Sequence, residues 1–230
     1  RKEPKNKLID YLGWHKQNKD LYFVGLPLLS GRLHGEKKSL IRDIVKKYNL
    51  DLRLTPNQDI LLCNISVNHK LDIKKALSKI GYDNLNKINE IQRHALACPA
   101  LPLCGLAMTE AERILPSVLT RIDDLIKNLK INKSILFRMT GCPNGCTRPY
   151  MAELALVGSG QNKYQLWLGG SKNLQRLAKP YLQRMELEDL EKTLKPLLIH
   201  WKESDSESDF GDFINNQSES SIVNLLNEIQ

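Results

Sequence analysis

Four of the five cysteines stand in two close pairs, a pattern that favours a metal or redox centre. Cys98 and Cys104 have five residues between them, and Cys142 and Cys146 have three. Zinc sites favour spacings of about two to four residues in both pairs, so the wider first loop fits one zinc ion less well. An iron–sulfur cluster is larger and takes four thiolates from wider loops. The spacing favours such a cluster and leaves zinc, or four unrelated buried thiols, open.

The residues around the two pairs suit close packing against a cluster. Pro99 and Pro102 stiffen the first loop, and residues 143–145, Pro-Asn-Gly, form a turn signal inside the second. Backbone N–H groups in such a turn could point at cluster sulfurs and tune their potential. Gly105 and Gly141 allow a close approach of the backbone. The remaining cysteine, in the apolar run ILLC at residues 60–63, is expected to be a small core residue.

Composition and charge exclude several classes of protein and indicate which kinds of partner the surface would attract. The chain has 230 residues, 41% hydrophobic and 26% charged, which excludes a peptide hormone or a disulfide knot. Its longest mostly apolar stretch, residues 96–108, is interrupted by prolines and a glycine, so no membrane span is predicted. An odd number of cysteines predicts a reducing compartment. Residues 203–230 contain seven acidic and no basic side chains, so the rest of the chain is more basic than the net charge of +8 suggests. Such a surface attracts nucleic acid, a polyanionic cofactor or an acidic protein.

The first part of the chain alternates strand and helix signals. Apolar runs and helical periodicity predict strands at 21–29, 51–54 and 59–65, and helices at 37–49 and 71–80. This order predicts a small α+β sandwich with helices on one face of an antiparallel sheet.

The second part surrounds the cysteines with further elements. A capping box at Thr109 and Glu112 predicts a helix from Thr109 to about Lys130. A strand at 134–140 would run into the second cysteine loop, followed by a hairpin of strands 153–157 and 164–168 with its turn at 158–163. Residues 188–201 would form a closing helix. Residues 203–220 are expected to be mobile, with a short helix at 222–229.

Five stretches of the sequence are similar to assimilatory sulfite reductases, which are members of the sulfite/nitrite reductase family. The two that contain the cysteine pairs are the most specific. The stretches are GLPLLSGRL (25–33), RLTPNQDILL (53–62), ACPALPLCGLAMTEAERILP (97–116), RMTGCPNGCTRPYMAEL (138–154) and YQLWLGG (164–170). The tail sequence FGDF (210–213) also matches, so the resemblance covers about residues 18–215.

The resemblance implies two cofactors and a set of site residues. It implies a [4Fe–4S] cluster bound by Cys98, Cys104, Cys142 and Cys146, with Cys146 as the catalytic thiolate that is shared with the iron of a sirohaem. Sirohaem carries eight carboxylates, so its pocket needs cations and hydrogen-bond donors. Candidates for this cofactor-binding role, besides Cys146 itself, are Asn144, Arg138 and Arg148. Arg93, Arg113 and Lys172 are further basic candidates, and His94 is a candidate proton donor or a structural histidine.

The family reduces sulfite to sulfide or nitrite to ammonia. Nitrite reductases usually carry serine at the position of Gly145, and TRPYMAELALVG followed by YQLWLGG resembles the ferredoxin-dependent sulfite reductases of plastids and cyanobacteria. The resemblance therefore implies sulfite as substrate, ferredoxin as the electron donor in sulfur assimilation, and a cytoplasmic (cyanobacterial) or plastid stromal location. Nitrite reduction is the alternative within the family. A non-catalytic metal module that binds nucleic acid is less favoured, because only 6% of residues are aromatic and they do not interleave with the basic ones.

These patterns together predict the domain organisation. The fold class is α+β, with a ferredoxin-like α/β sandwich followed by a mixed α+β domain that binds the [4Fe–4S] cluster and sirohaem. We expect a basic N-terminal extension at 1–17, the ferredoxin-like unit at 18–84, the cofactor domain at 90–202 and an acidic C-terminal tail at 203–230. Family members have two related halves, and the upstream half supplies residues that grip sulfite. We therefore expect this chain to be the C-terminal half, to need the upstream half as a partner, and to turn over little sulfite alone.

Overall fold

The computed structural model describes residues 10–85, 88–204 and 207–227. The described chain forms two compact units, one that ends at Arg93 and one that begins at His94. The second unit thus begins slightly after the predicted start at residue 90. Among the helices of the described residues, none has the length and apolarity needed to span a bilayer.

The first unit is the predicted α+β sandwich. Its four strands form one antiparallel sheet in the order β1-β2-β4-β3. The strands are β1 (Gly13–Lys16), β2 (Leu21–Leu26), β3 (Asp51–Leu54) and β4 (Ile60–Ser66), and the helices are α1 (Gly35–Tyr48), α2 (Lys70–Ser78) and α3 (Glu90–Arg93).

The core of this unit lies between the sheet and helices α1 and α2. Val24 and Leu62 from the sheet are fully buried together with Ile41 of α1 and Ile73 of α2. The apolar residues of α1 recur at helical spacing, which is why this segment buries one face. The helix ends where Asn49 adopts a left-handed conformation with φ 51°.

The predicted N-terminal extension at 1–17 is wrong for its last residues. Strand β1 (Gly13–Lys16) pairs with β2, and Trp14 packs against the core. The run has only four residues, so its alternation was too weak to predict a strand, and the pairing with β2 and the packing of Trp14 stabilise it. Residues 1–9 of that prediction lie outside the described chain.

The second unit contains a five-stranded mixed sheet in the order β5-β6-β7-β8-β9. The first three strands are parallel and the last two pairings are antiparallel. The strands are β5 (Leu96–Ala97), β6 (Phe137–Thr140), β7 (Leu154–Gly160), β8 (Lys163–Leu168) and β9 (Lys179–Glu186), and the helices are α4 (Leu115–Asn128), α5 (Leu190–Ser204), α6 (Phe210–Asn216) and α7 (Glu219–Asn227). The mixed α+β class predicted from the sequence is confirmed.

The predicted capping box is wrong, because α4 begins at Leu115 instead of Thr109. The Thr109 hydroxyl donates to the hydroxyl of Tyr164 at 3.1 Å instead of capping a helix. The Tyr164 hydroxyl in turn donates to the carbonyl of Glu110 at 2.7 Å. This tertiary contact competes with helix formation for the same groups, and Pro116 near the start of α4 suits the later beginning.

The acidic tail is also different from its prediction. Residues 210–216 and 219–227 form α6 and α7, although residues 203–220 were expected to be mobile. Phe210, Phe213 and Ile214 are fully buried. Their burial outweighs the polar composition of the segment, so the tail is part of the second unit. Residues 205–206 and 228–230 of this prediction lie outside the described chain.

Candidate functional site

Parallel strand pairing brings the two cysteine loops to one edge of the sheet. Strands β5 and β6 are parallel, with Leu96 paired to Arg138 and Ala97 to Met139. Cys98 follows β5 directly, and Gly141 follows β6. The carboxyl ends of neighbouring parallel strands lie at the same edge, so the loops that contain the two cysteine pairs leave the sheet side by side.

The two loops contact each other at Gly141. Its N–H donates to Cys98 Sγ at 3.2 Å, and its carbonyl accepts from the N–H groups of Met108 and Thr109 at 2.8 and 3.2 Å. A Cβ at residue 141 would lie 2.6 Å from Ala100 Cβ, closer than any real contact of this type. Only glycine fits at residue 141, as predicted from the sequence, but the close approach predicted at Gly105 is wrong, because a Cβ there would meet nothing within 4 Å.

The four paired cysteines differ in exposure. All are free thiols; Cys98 and Cys142 are buried, Cys104 is half-buried and Cys146 is exposed. Burial is the largest cause of the raised pKa of the Cys98 thiol, and the charges of Cys146 and Cys142 raise it further. Hydrogen bonds from the N–H groups of Gly141 and Ala100 lower this pKa. Cys98 is therefore within electrostatic reach of both cysteines of the second loop. Cys63 is buried in the core of the first unit, whereas the four paired cysteines belong to the second unit.

The donor set fits an iron–sulfur cluster. Four free thiols lie on two adjoining loops. The N–H of Gly141 points at Cys98 Sγ, and the two loops pack so closely at Gly141 that a side chain would not fit there. In the described parts of the chain, no three His, Cys, Asp or Glu side chains form a group that could hold a metal ion. A cube has a separate iron for each thiolate, so its ligands need not converge on one point as zinc ligands must.

Local contacts fold the second cysteine loop so that Cys146 faces outward. Gly145 has φ 67°, and a Cβ there would lie 2.8 Å from Tyr150 Cε2. The Tyr150 hydroxyl donates to the carbonyl of Pro143 at 2.6 Å, and the Thr147 hydroxyl donates to the carbonyl of Met139 at 3.0 Å. These bonds tie both ends of the turn to the protein and leave the Cys146 thiol at the surface.

Arg138 is a buried cation beneath this loop. Its side chain is 1% exposed, and Nη1 donates to the carbonyl of Arg148 at 3.1 Å. Burial lowers the pKa of Arg138 to about 10, and the charge of Arg148 adds to this effect. Its Nε has no hydrogen-bond partner among the described residues. A buried guanidinium with an unused donor fits an anionic group such as a carboxylate.

The other predicted basic and polar residues have different surroundings. Arg148 and Asn144 are exposed on the second cysteine loop. Arg113 is paired with Glu110 on its own segment, and Lys172 lies 3.5 Å from Asp209. Arg93 lies in the first unit, where it is paired with Asp10 and Glu90, and half-buried His94 opens the second unit just before β5. The pairing of Arg93, Arg113 and Lys172 with acids reduces their value as anion ligands.

Sequence reasoning missed Glu153. Its side chain is fully buried, and its carboxylate accepts the N–H groups of Leu136 at 2.8 Å and Gly211 at 2.9 Å. Desolvation raises the pKa of Glu153 to about 7. The hydrogen bonds from Gly211 and Leu136 and the charge of Lys172 lower this pKa, and the charge of Asp209 raises it. The only signal in the sequence was a lone acid beside an apolar strand.

Comparison with known proteins gives consistent matches. Residues 15–80 match the family model described as the nitrite/sulfite reductase ferredoxin-like half domain. The chain is 46% identical to a sulfite reductase [ferredoxin] of Synechococcus elongatus, across 93% of this chain and 35% of the relative. It is 34% identical to a sulfite reductase [NADPH] hemoprotein beta-component of Staphylococcus saprophyticus, across 91% of this chain and 41% of the relative. The chain thus spans well under half the length of these relatives.

Two solved structures share the fold. The Mycobacterium tuberculosis NirA protein matches with a TM-score of 0.77 at 20% identity, covering 96% of this chain and 42% of that one. The dissimilatory sulfite reductase DsrI matches with a TM-score of 0.63 at 8% identity, covering 90% of this chain and 69% of that one. At such low identity these matches concern the arrangement of helices and strands.

Proposed function

We propose that this chain, which is similar to sulfite reductases and matches the nitrite/sulfite reductase ferredoxin-like half domain at residues 15–80, is the C-terminal half of a ferredoxin-dependent sulfite reductase. The observation that carries the proposal is the meeting of the two cysteine loops at Gly141, whose N–H donates to Cys98 Sγ. This contact places two free-thiol pairs at one edge of the sheet in a chain that is 46% identical to a named sulfite reductase.

We assign the cofactor ligands to the residues of these loops. Cys98, Cys104, Cys142 and Cys146 would hold a [4Fe–4S] cluster, and Cys146 would also bind the iron of a sirohaem. The exposure of Cys146 supports this double role, because a shared thiolate has to be open on one side. When bound, the two cofactors supply single-electron transfer to sulfite, whose reduction to sulfide takes six electrons.

The protein groups around the thiols would tune and orient these cofactors. The N–H of Gly141 donates toward Cys98 Sγ, and a hydrogen bond to a ligand sulfur shifts the reduction potential of a cluster upward. Arg138 would pair its unused Nε with a sirohaem carboxylate, which would offset the cost of burying its charge. Arg148 and Asn144 would bind further carboxylates from the exposed side of the loop.

Ferredoxin is the proposed electron donor. The support is that the 46% identical relative is named a ferredoxin enzyme, whereas the NADPH-type relatives are 34–37% identical. The cyanobacterial source of that relative supports a cytoplasmic (cyanobacterial) or plastid stromal location. The upstream half of the enzyme is the proposed partner, since this chain spans 35% of that relative. It would supply most of the groups that bind sulfite and deliver protons.

Reconstitution of the chain with iron and sulfide under anaerobic conditions tests the cluster assignment. We expect about four irons and four acid-labile sulfides per chain, with a brown absorption band. Cys98→Ser, Cys104→Ser, Cys142→Ser and Cys146→Ser should each reduce this content, whereas the control Cys63→Ser should not. Zinc without colour, or an equal loss in the Cys63 variant, would contradict the assignment.

Steady-state assays test the reaction. The chain alone should reduce sulfite poorly with reduced ferredoxin, and the complete Synechococcus elongatus relative serves as the positive control. Adding the corresponding upstream half should raise sulfite reduction, with ferredoxin preferred over NADPH. A higher kcat/KM for nitrite than for sulfite in that assembly would overturn the choice of substrate.

A further inference from the structure

The carboxylate of Glu153 connects two segments that are distant in sequence. Glu153 ends the second cysteine loop, just before β7, and is fully buried. Its Oε2 accepts from the N–H of Leu136, at the entry to β6, and its Oε1 accepts from the N–H of Gly211 in α6. Both oxygens therefore accept from backbone donors of different elements, so one buried side chain links the end of the cysteine loop to β6 and to α6.

Glycine contacts bring the same segments into direct backbone contact. A Cβ at Gly211 would lie 1.8 Å from the carbonyl oxygen of Gly170. A Cβ at Gly170 would lie 2.1 Å from the carbonyl oxygen of Ala152 and 3.1 Å from the carbonyl carbon of Met151. The backbone of α6 at Gly211 therefore contacts the backbone of Gly170, and Gly170 contacts the backbone of the last residues of the cysteine loop.

Helix α6 is also held from its outer side. Arg176 Nη2 donates to Asp212 at 2.6 Å, and Arg176 Nε donates to the carbonyl of Gly169 at 2.8 Å. Phe210 and Phe213 of the same helix are fully buried. Apolar burial fixes the helix to the unit, while the polar contacts set its position against the loop.

The end of the cysteine loop is connected to Cys146 by a short, bonded segment. The carbonyl of Tyr150 accepts from the N–H of Ala178 at 2.8 Å, and its hydroxyl donates to the carbonyl of Pro143 within the turn between the two cysteines. Its ring contacts that of Trp167, with centroids 4.5 Å apart. A displacement of the loop end at Glu153 would therefore reach the turn that presents Cys146.

We propose that Glu153 is a positioning residue, which fixes the second cysteine loop by holding α6 against the C-terminal end of that loop. The C-terminal segment is then a working part of the candidate site, although its composition is that of a polar tail. The consequence for a cofactor rests on the proposed function, whereas the fixing of the loop is a property of the protein by itself.

Amide hydrogen exchange in the cofactor-free chain tests the proposal. Glu153→Gln keeps the size of the side chain but replaces one acceptor oxygen by an NH2 group, so one of the two N–H bonds is lost. We expect exchange in residues 143–152 and at Gly211 to accelerate by about two- to tenfold, the range expected for loss of one hydrogen bond. Exchange in α4 should remain unchanged, and the matched control Glu186→Gln, at a partly exposed glutamate paired with Lys163, should change neither region.

A second variant covers the case in which Glu153→Gln does not fold. Asp212→Asn weakens the ion pair with Arg176 but leaves the bond from Arg176 Nε to the carbonyl of Gly169 in place, and it should accelerate the same loop amides to a smaller extent. Unchanged loop exchange in these variants, or an equal acceleration in α4, would overturn the proposal.

The spectrum of the reconstituted protein distinguishes a positioning role from a general loss of stability, which would not change it. In a Glu153→Gln chain that still incorporates iron, we expect an altered electron paramagnetic resonance spectrum of the reduced cluster, because the ligand loop is displaced. An unchanged spectrum would overturn the positioning role. If the wild-type chain binds no cluster while the exchange result holds, the proposed function fails and the positioning role stands.

Discussion

Glu153 should make the stability of the second unit depend on pH in a defined direction. Desolvation raises the pKa of Glu153 from 4.5 to about 7, so the folded unit binds a proton that the unfolded chain releases. The stabilising contribution is fully present below the unfolded pKa and is lost as the pH rises through the folded value. The charges that face this carboxyl group are Lys172, which lowers the pKa, and Asp209, which raises it.

The size of the effect follows from the shift. A difference of about 2.5 pKa units corresponds to about 3 kcal/mol of unfolding free energy, of which about 2 kcal/mol is lost between about pH 5.5 and about pH 8.5. The Glu153→Gln variant carries no ionisable group at this position. Its unfolding free energy should therefore depend less on pH, by about this amount, whatever its absolute stability.

Urea unfolding followed by tryptophan fluorescence measures the difference. In a Trp14→Phe background the remaining tryptophans, Trp167 and Trp201, both lie in the second unit, so the signal reports that unit. Other titrating groups are common to both proteins and cancel in the comparison. If the wild type and the Glu153→Gln variant show the same pH dependence, the carboxyl group does not titrate as its burial implies, and the reasoning is refuted.

Three further substitutions test the packing and the charges of the site. Gly141→Ala should lose most of the iron incorporation and about 1–3 kcal/mol of unfolding free energy, because its Cβ would overlap Ala100. The control Gly105→Ala has open space around its Cβ and should lose neither. Iron analysis and urea unfolding measure the two effects. Arg138→Met should change the stability of the cofactor-free chain by less than about 1–2 kcal/mol, since it removes a buried charge, but should weaken sirohaem binding in a visible-absorption titration; strong destabilisation without a binding effect would contradict this. Phe213→Ala should lower the unfolding free energy of the second unit by about 3–5 kcal/mol, and a change near zero would show that the tail is not part of the core.

The elements predicted correctly from the sequence have strong local patterns. The helical spacing around Ile41 and Ile44 predicted α1, and alternation or apolar runs predicted β4, β7 and β8, because one buried face forces such a period. The elements that were missed have weak local patterns. Strand β5 has two residues, and β9 is a largely exposed edge strand, so pairing with a neighbour stabilises each of them.

The sequence alone identified the four cysteines, their spacing and the need for glycine at residue 141, because ligand type and loop length are local properties. The tertiary structure decided that the two loops leave one edge of a parallel sheet, that Arg138 is buried with an unused donor, and that the acidic tail packs against the loop through Glu153. Those features depend on which strands pair and which side chains lose contact with water. Such choices are made by the whole chain on folding, so no local pattern contains them.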